Sequence, residues 1–283
     1  MDAKTVKAST NLQYNRSNHI KVRPLSKSTV VLRITLFVLA VLTVVSFATI
    51  DYQSIDLLNG IWKTLENFRT LFLQPELHHF SFSGGLYAVL ITMGLAFLTT
   101  LFGAVIALFF GLLSAENLSN RRVSNCIKSV VAFIRAVPTV LWVLIFAVSA
   151  GLGSVAAVIG MTFHSAGYLI KAYSESFEEI DHGVIEALRA SGAKWGQIVV
   201  QAVLPSTLTY LVSWTFMRFE LNFSVAVAMG AAAGAGGIGY DMFMASSFYF
   251  DLNEIGAITY YILAFAVLLE VAAIRFKSGL KGN

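Results

Sequence analysis

The sequence is poor in charge. Lys, Arg, Asp and Glu make up only 13% of its 283 residues, against about 25% in an ordinary soluble domain. A water-soluble chain of this length needs far more charge to cover its surface, so that class is excluded. Cysteine is almost missing. Cys126 stands alone, which excludes an internal disulfide and any zinc cluster built on cysteines. No His or Asp pattern near it supports a nucleophile, so it reads as an ordinary helix residue. No G-x-x-x-x-G-K-[ST] pattern occurs, so the chain lacks the phosphate-cradling loop of an ATP hydrolase. His, Asp and Glu nowhere cluster along the sequence at catalytic or metal spacing, and neither an enzymatic centre nor a metal site is expected.

What the sequence has instead is apolar length. Hydrophobic residues are 57% of the chain and the mean hydropathy is +0.72. About 20 apolar residues are needed to cross a bilayer as a helix. Such runs fall at residues 30–50, 86–113, 129–149, 155–172, 205–230 and 255–274. They lack the alternation of barrel strands, and backbone groups in lipid must be satisfied within the segment. An all-α membrane protein of about six transmembrane helices follows. The first run is too long for a signal-peptide core and no small-residue cleavage site follows it.

Cations orient the helices. Lys4, Lys7, Arg16, Lys21, Arg23 and Lys27 precede the first run, with Arg33 at its entry. Arg121, Arg122 and Lys128 lie between the second and third, and Lys171, Arg189 and Lys194 between the fourth and fifth. Arg275, Lys277 and Lys281 follow the sixth. With six helices these segments share one side, with both termini cytoplasmic. The other side has Lys63 and Arg69, and nothing basic in residues 236–254. The net charge of +4 therefore speaks of topology. Lipid is the expected partner and nucleic acid is not. The expected organisation is a cytoplasmic tail at 1–29, a first transmembrane helix with an outer loop at 30–85, a core transmembrane domain at 86–276 and a cytoplasmic tail at 277–283. Within the outer loop, Leu58, Ile61, Trp62, Leu65 and Phe68 recur at helical spacing. This predicts an amphipathic helix, lying at the interface or packed on the spans. Pro138 falls inside the third run, and Pro205 opens the fifth, where a missing N–H costs little.

The segment before the fifth run carries the sharpest signal. It reads Glu186-Ala187-Leu188-Arg189-Ala190-Ser191-Gly192, with Leu204-Pro205 twelve residues after Gly192. Ile185, Leu188 and Ala193 form the apolar side of a short helix, Gly192 permits a tight turn, and Glu186, Arg189 and Lys194 offer charge. This resembles the EAA loop of ABC importer permeases, the binding-protein-dependent transport inner-membrane components. Leu188 replaces the family's second Ala, and Ala202 stands where Ile is usual. Further matches at Arg135-Ala-Val-Pro138, Gly151-Leu-Gly153, His164-Ser165, Arg218-Phe-Glu220-Leu-Asn222 and Gly234-Ala-Gly236-Gly237-Ile-Gly239-Tyr240 look like the phosphonate (PhnE-like) subgroup, over about residues 86–276. The resemblance implies a type I (MetI-like) permease fold. In that reading Glu186, Ala187, Leu188, Arg189, Gly192, Ala193, Leu204 and Pro205 dock a cytoplasmic ATPase dimer. That ATPase binds ATP and Mg, and this chain holds no cofactor. The resemblance also implies an extracytoplasmic binding protein and a second permease copy, as a homodimer. The alternatives are the same machine carrying phosphite, phosphate, methionine or another small solute, and an ion-gradient-driven secondary transporter. The latter usually shows internal repeats, and none is visible here.

Ionisable groups inside spans are costly and face protein or water. Arg218 and Asn222, four apart, share a helix face, while Glu220 points away. Arg218, Glu220, Asn222, His164, Ser165 and Arg135 are the candidates for an anion pathway. Structural pairing is the competing role for Arg218 and Glu220, hydrogen bonding for His164, and snorkelling for Arg135. Glu270, near the end of the sixth run, reads as structural. Gly234, Gly236 and Gly239, with Gly237 between them, formally fit a dinucleotide fingerprint, but no strand–helix context surrounds them. They read as a sharp turn at the outer face or as a close helix contact.

Overall fold

The computed structural model describes residues 27–49 and 56–281. The tail cations Lys4, Lys7, Arg16, Lys21 and Arg23 lie outside them. The chain divides into two units, 1–61 and 62–283. In the first, α1 (Lys27–Thr49) is a single apolar helix with no buried side chain, the state of a helix whose solvent is lipid.

Every regular element among the described residues of the second unit is a helix. Most of α2 (Leu57–Leu73) belongs to it, the helix that the spacing of Trp62, Leu65 and Phe68 predicts. Its last turn packs on a later helix, since a Cβ on Gly256 would lie 2.0 Å from the Leu71 carbonyl oxygen. Next come α3 (Phe82–Ser114), α4 (Arg121–Ala136), α5 (Thr139–Ala150) and α6 (Ser154–Glu178). They are followed by α7 (His182–Ala190), α8 (Trp195–Ile198), α9 (Leu204–Ala233), α10 (Ile238–Met244) and α11 (Leu252–Lys281).

Helices α3 and α6 pack closely because α3 offers Gly103, Ala107 and Gly111 at four-residue spacing. A Cβ at Gly103 would sit 3.0 Å from the Ser165 Cβ, and one at Gly111 would sit 3.1 Å from the Tyr173 Cβ. Small residues at one interface let backbones approach where lipid removes any hydrophobic drive.

Two elements differ from the sequence expectation. The third run is not one straight span. It is α4 and α5, bent by 91°. A proline clashes with a helical residue before it, and Val137, ahead of Pro138, is extended (φ −89°, ψ 125°). The break frees carbonyls at the end of α4, and Trp142 Nε1 donates to one of them, Ile134 O, at 2.9 Å. Second, Pro205 stands in the first turn of α9, as expected, but helix already precedes it. Residues 195–233 run on as one stretch of 39 residues, with a widened π turn at Val199–Val203 just ahead of the proline. A π turn takes up the ring and the missing N–H where a regular turn would clash. Five described helices are long and apolar enough to cross a membrane, or six if the bent pair is one span.

Candidate functional site

At one end of the bundle, α7 forms a short surface knob. The Asp181 side chain accepts from the Gly183 amide at 2.9 Å and starts the helix. Gly192 stops it in the left-handed region (φ 87°). The Gly192 amide donates back to the Arg189 carbonyl and the Ala193 amide to the Leu188 carbonyl, both at 3.0 Å, a Schellman closure. Ile185 is 1% exposed and packs with Tyr173, Phe177 and Ile198. Leu188, Ala193 and Leu204 lean on the same cluster. The apolar side of α7 thus belongs to the chain's own core, and Glu186, Ala187 and Val184 are left facing outward.

The α3–α4 connection underlies the knob. Arg189 Nη2 donates to the Asn117 carbonyl at 2.9 Å, so this cation braces the knob as well as facing outward. Trp195 Nε1 donates to the Leu118 carbonyl at 3.0 Å. Lys128 bridges Glu116 at 2.8 Å and Glu178 at 3.0 Å. The ammonium holds the Glu116 carboxyl below its ordinary range.

Deeper in the bundle lies a polar cluster. Arg218, halfway along α9, is 5% exposed, and Asn222, Ser165 and Thr100 are buried beside it. Arg218 Nε donates to Ser165 Oγ at 3.1 Å. Asn222 Nδ2 donates to Thr100 Oγ1 at 2.8 Å and to Ser165 Oγ at 2.9 Å. The guanidinium carbon of Arg218 lies 5.2 Å from the centre of the Tyr168 ring, and that of Arg135 lies 5.7 Å from the same ring. Arg218 Nη2 and His164 Nδ1 are buried with no hydrogen-bond partner. Arg135, at the end of α4, also lines a cavity of about 290 Å³ with Lys128, Lys171, Ser174 and Glu178. Two cations therefore share one aromatic ring, one deep and one at the cavity.

The structure brings together Arg218, Asn222, Ser165 and Arg135, with His164 on the same helix as Ser165. It leaves Glu220 apart, half-buried and outside this network. Thr100 and Tyr168 were not singled out from sequence. The signal was there, for Tyr168 is three residues past Ser165 on the same helix face, and Thr99-Thr100 interrupts an apolar run.

Toward the other end, Gly234 closes α9 in the left-handed region (φ 62°), and 234–237 turn the chain into α10. Gly239 serves close approach, since a Cβ there would lie 1.8 Å from the Val227 carbonyl oxygen. Gly237 has φ 71°, and its space is taken by Thr92 Oγ1, which accepts from the Ile238 amide at 3.1 Å. Turn and close contact are both present. No metal site was expected from the sequence, and folding brings His79, Asp251 and Glu254 together at this end. His79 lies more than 170 residues from the two carboxylates, so no local spacing reveals the meeting.

Residues 107–276 match the family described as binding-protein-dependent transport system inner membrane component. Over 180 residues the chain is 30% identical to the phosphite transport system permease protein PtxC of Stutzerimonas stutzeri, covering 63% of this chain and 65% of that one. Over 178 residues it is 29% identical to the phosphate-import permease protein PhnE of Mycolicibacterium smegmatis, covering 62% and 33%. The chain thus spans less than two thirds of the length of these relatives. Among solved structures, it is similar to an inward-facing MetNI methionine ABC transporter, with a TM-score of 0.62 and 24% identity over 69% of this chain and 95% of that one. That likeness speaks to the fold.

Proposed function

The chain belongs to the binding-protein-dependent transport system inner membrane component family, and from that premise we propose that it is the permease subunit of an ATP-driven importer for a phosphonate-class oxyanion. A separate ATPase dimer grips the α7 knob through Glu186, Ala187 and Val184. A second copy of the chain completes the pathway, and an extracytoplasmic binding protein delivers the cargo. The ATPase supplies ATP hydrolysis and holds Mg. This chain contributes the passage and its gating.

The observation that carries the cargo class is Arg218. A guanidinium in the middle of a span is costly unless something uses it, and here Nη2 has no hydrogen-bond partner while Nε is held by Ser165. The fork geometry of guanidinium suits a tetrahedral oxyanion. Ser165, Thr100 and Asn222 fix its position, and Tyr168 links it to Arg135 at the cavity. In alternating access, closure of the ATPase pair moves α7. Its buried Ile185 passes that motion to α6 and to the helix through residues 195–233. The rigid Gly192 turn keeps the knob from absorbing it.

Proteoliposomes containing this chain, its ATPase and its binding protein test the cargo. Uptake of phosphite, phosphate, methylphosphonate and methionine is compared with ATP supplied. The proposal expects a phosphorus oxyanion to be taken up and methionine not. Methionine uptake alone assigns a different cargo, and transport without the ATPase points to a secondary transporter.

A further inference from the structure

We propose that His79, Asp251 and Glu254, with His78 as a fourth ligand, form a divalent transition-metal site at the end of the bundle opposite α7. It is independent of the cargo and of the ATPase reading. The segment after α2 reads His78-His79, and the start of α11 reads Asp251-Leu-Asn-Glu254. Folding places one ligand atom from each of His79, Asp251 and Glu254 within 4.8 Å of the others. His78 Nδ1 lies against Asp251 Oδ2, and His79 Nδ1 lies 2.7 Å from Glu254 Oε2. Glu76 Oε2 is 3.2 Å from the other ring nitrogen of His78.

The orientation of the carboxylates singles out this arrangement. Each uses one oxygen to accept from backbone amides and turns the other toward an imidazole. Asp251 Oδ1 accepts from the amides of Asn253 and Glu254, at 3.0 and 3.1 Å. Glu254 Oε1 accepts from the His79 amide at 2.8 Å. That leaves Oδ2 beside a His78 nitrogen and Oε2 beside a His79 nitrogen; His78 stands outside the cluster of three and must turn inward to complete it. Outer-shell bonds of this kind orient metal-ligating carboxylates. The His79 ring is held in place by stacking on Tyr249, with centres 3.7 Å apart. With metal–ligand bonds of about 2.0–2.2 Å, tetrahedral ligands stand roughly 3.3 Å from one another, so side-chain rotation closes the site.

Charge supplies the second argument. Glu254 is 1% exposed, and a buried carboxylate needs a counter-charge. Residues 74–100 and 236–254 contain no Lys or Arg. A donor set of two imidazoles and two carboxylates suits zinc and its first-row neighbours rather than calcium or magnesium. The ion would clamp the loop ahead of α3 to the start of α11.

The test uses untagged, purified full-length chain stripped with chelator and titrated with Zn(II) and Co(II) at neutral pH. The proposal expects one ion per chain, bound with Kd below about 10 µM. It also expects a rise in thermal midpoint and, for Co(II), the visible absorption of a four-coordinate centre. His79→Gln and Asp251→Asn, each checked for unchanged elution as a folded species, should bind at least about tenfold more weakly. Either no binding below about 100 µM or equal affinity in both variants overturns it. So does stabilisation produced by acidification alone and not by metal, which would make the cluster a proton-held clasp.

Discussion

At the residue scale, Arg218 decides most. It is buried, fixed through one nitrogen and free at another. Arg218→Met keeps length and apolar bulk while deleting the cation. Uptake should fall by about tenfold or more, the value of one lost charge-assisted hydrogen bond, with the amount of chain in the membrane unchanged by immunoblot. Unchanged uptake would assign Arg218 a structural role. Glu220 is the internal control, since it lies outside the Ser165–Asn222–Thr100 network, and Glu220→Gln should cost uptake much less. Gly239 answers to packing instead. Gly239→Val would drive a side chain into the Val227 carbonyl. Overpacking of a tight interface costs about 1–3 kcal/mol or more, so the prediction is a lower thermal midpoint in detergent, along with lost uptake. The shared face of Arg218 and Asn222 was legible because four residues make one helical turn. The link between Arg218 and Arg135 through Tyr168 was not, since nothing local encodes which helices α6 meets.

At the element scale, the knob is the unit that matters. Its end was readable from Gly192 and its apolar side from Ile185 and Leu188, while the Asp181 cap that starts it was not singled out. Its orientation was only half readable. The apolar side, offered by sequence as a docking surface, is buried against Tyr173 and Phe177, because a short helix on a bundle must cover its own core first. Glu186, Ala187 and Val184 remain to meet a partner. Gly192→Val forces a β-branched residue to φ 87°, against roughly 1–2 kcal/mol of left-handed strain. The chain should still reach the membrane, while ATPase co-purification and uptake both fall. Normal uptake would argue against docking at α7. The two prolines teach the complementary lesson. Hydropathy sees only apolar length, so Pro138 was read inside a span and Pro205 at the start of one. The first ends α4 at a right angle, and the second sits inside a longer helix behind a π turn.

At the scale of the whole molecule, composition settled the environment, and the apolar runs located the long helices but missed the break in the third and the full length of the sixth. The pairing of α3 with α6 was legible only in retrospect, in the spacing of Gly103, Ala107 and Gly111. The meeting of His79 with Glu254 follows from the complete fold and from no local pattern. The account as a whole turns on a cytoplasmic ATPase seated on α7. The direct measurement places a single cysteine there, Glu186→Cys with Cys126→Ser, in cells carrying the ATPase. The account predicts a cross-link between position 186 and the ATPase, its yield changing with bound nucleotide, and no reaction with a membrane-impermeant maleimide added outside. Labelling from outside, with no ATPase adduct under any nucleotide, would contradict it.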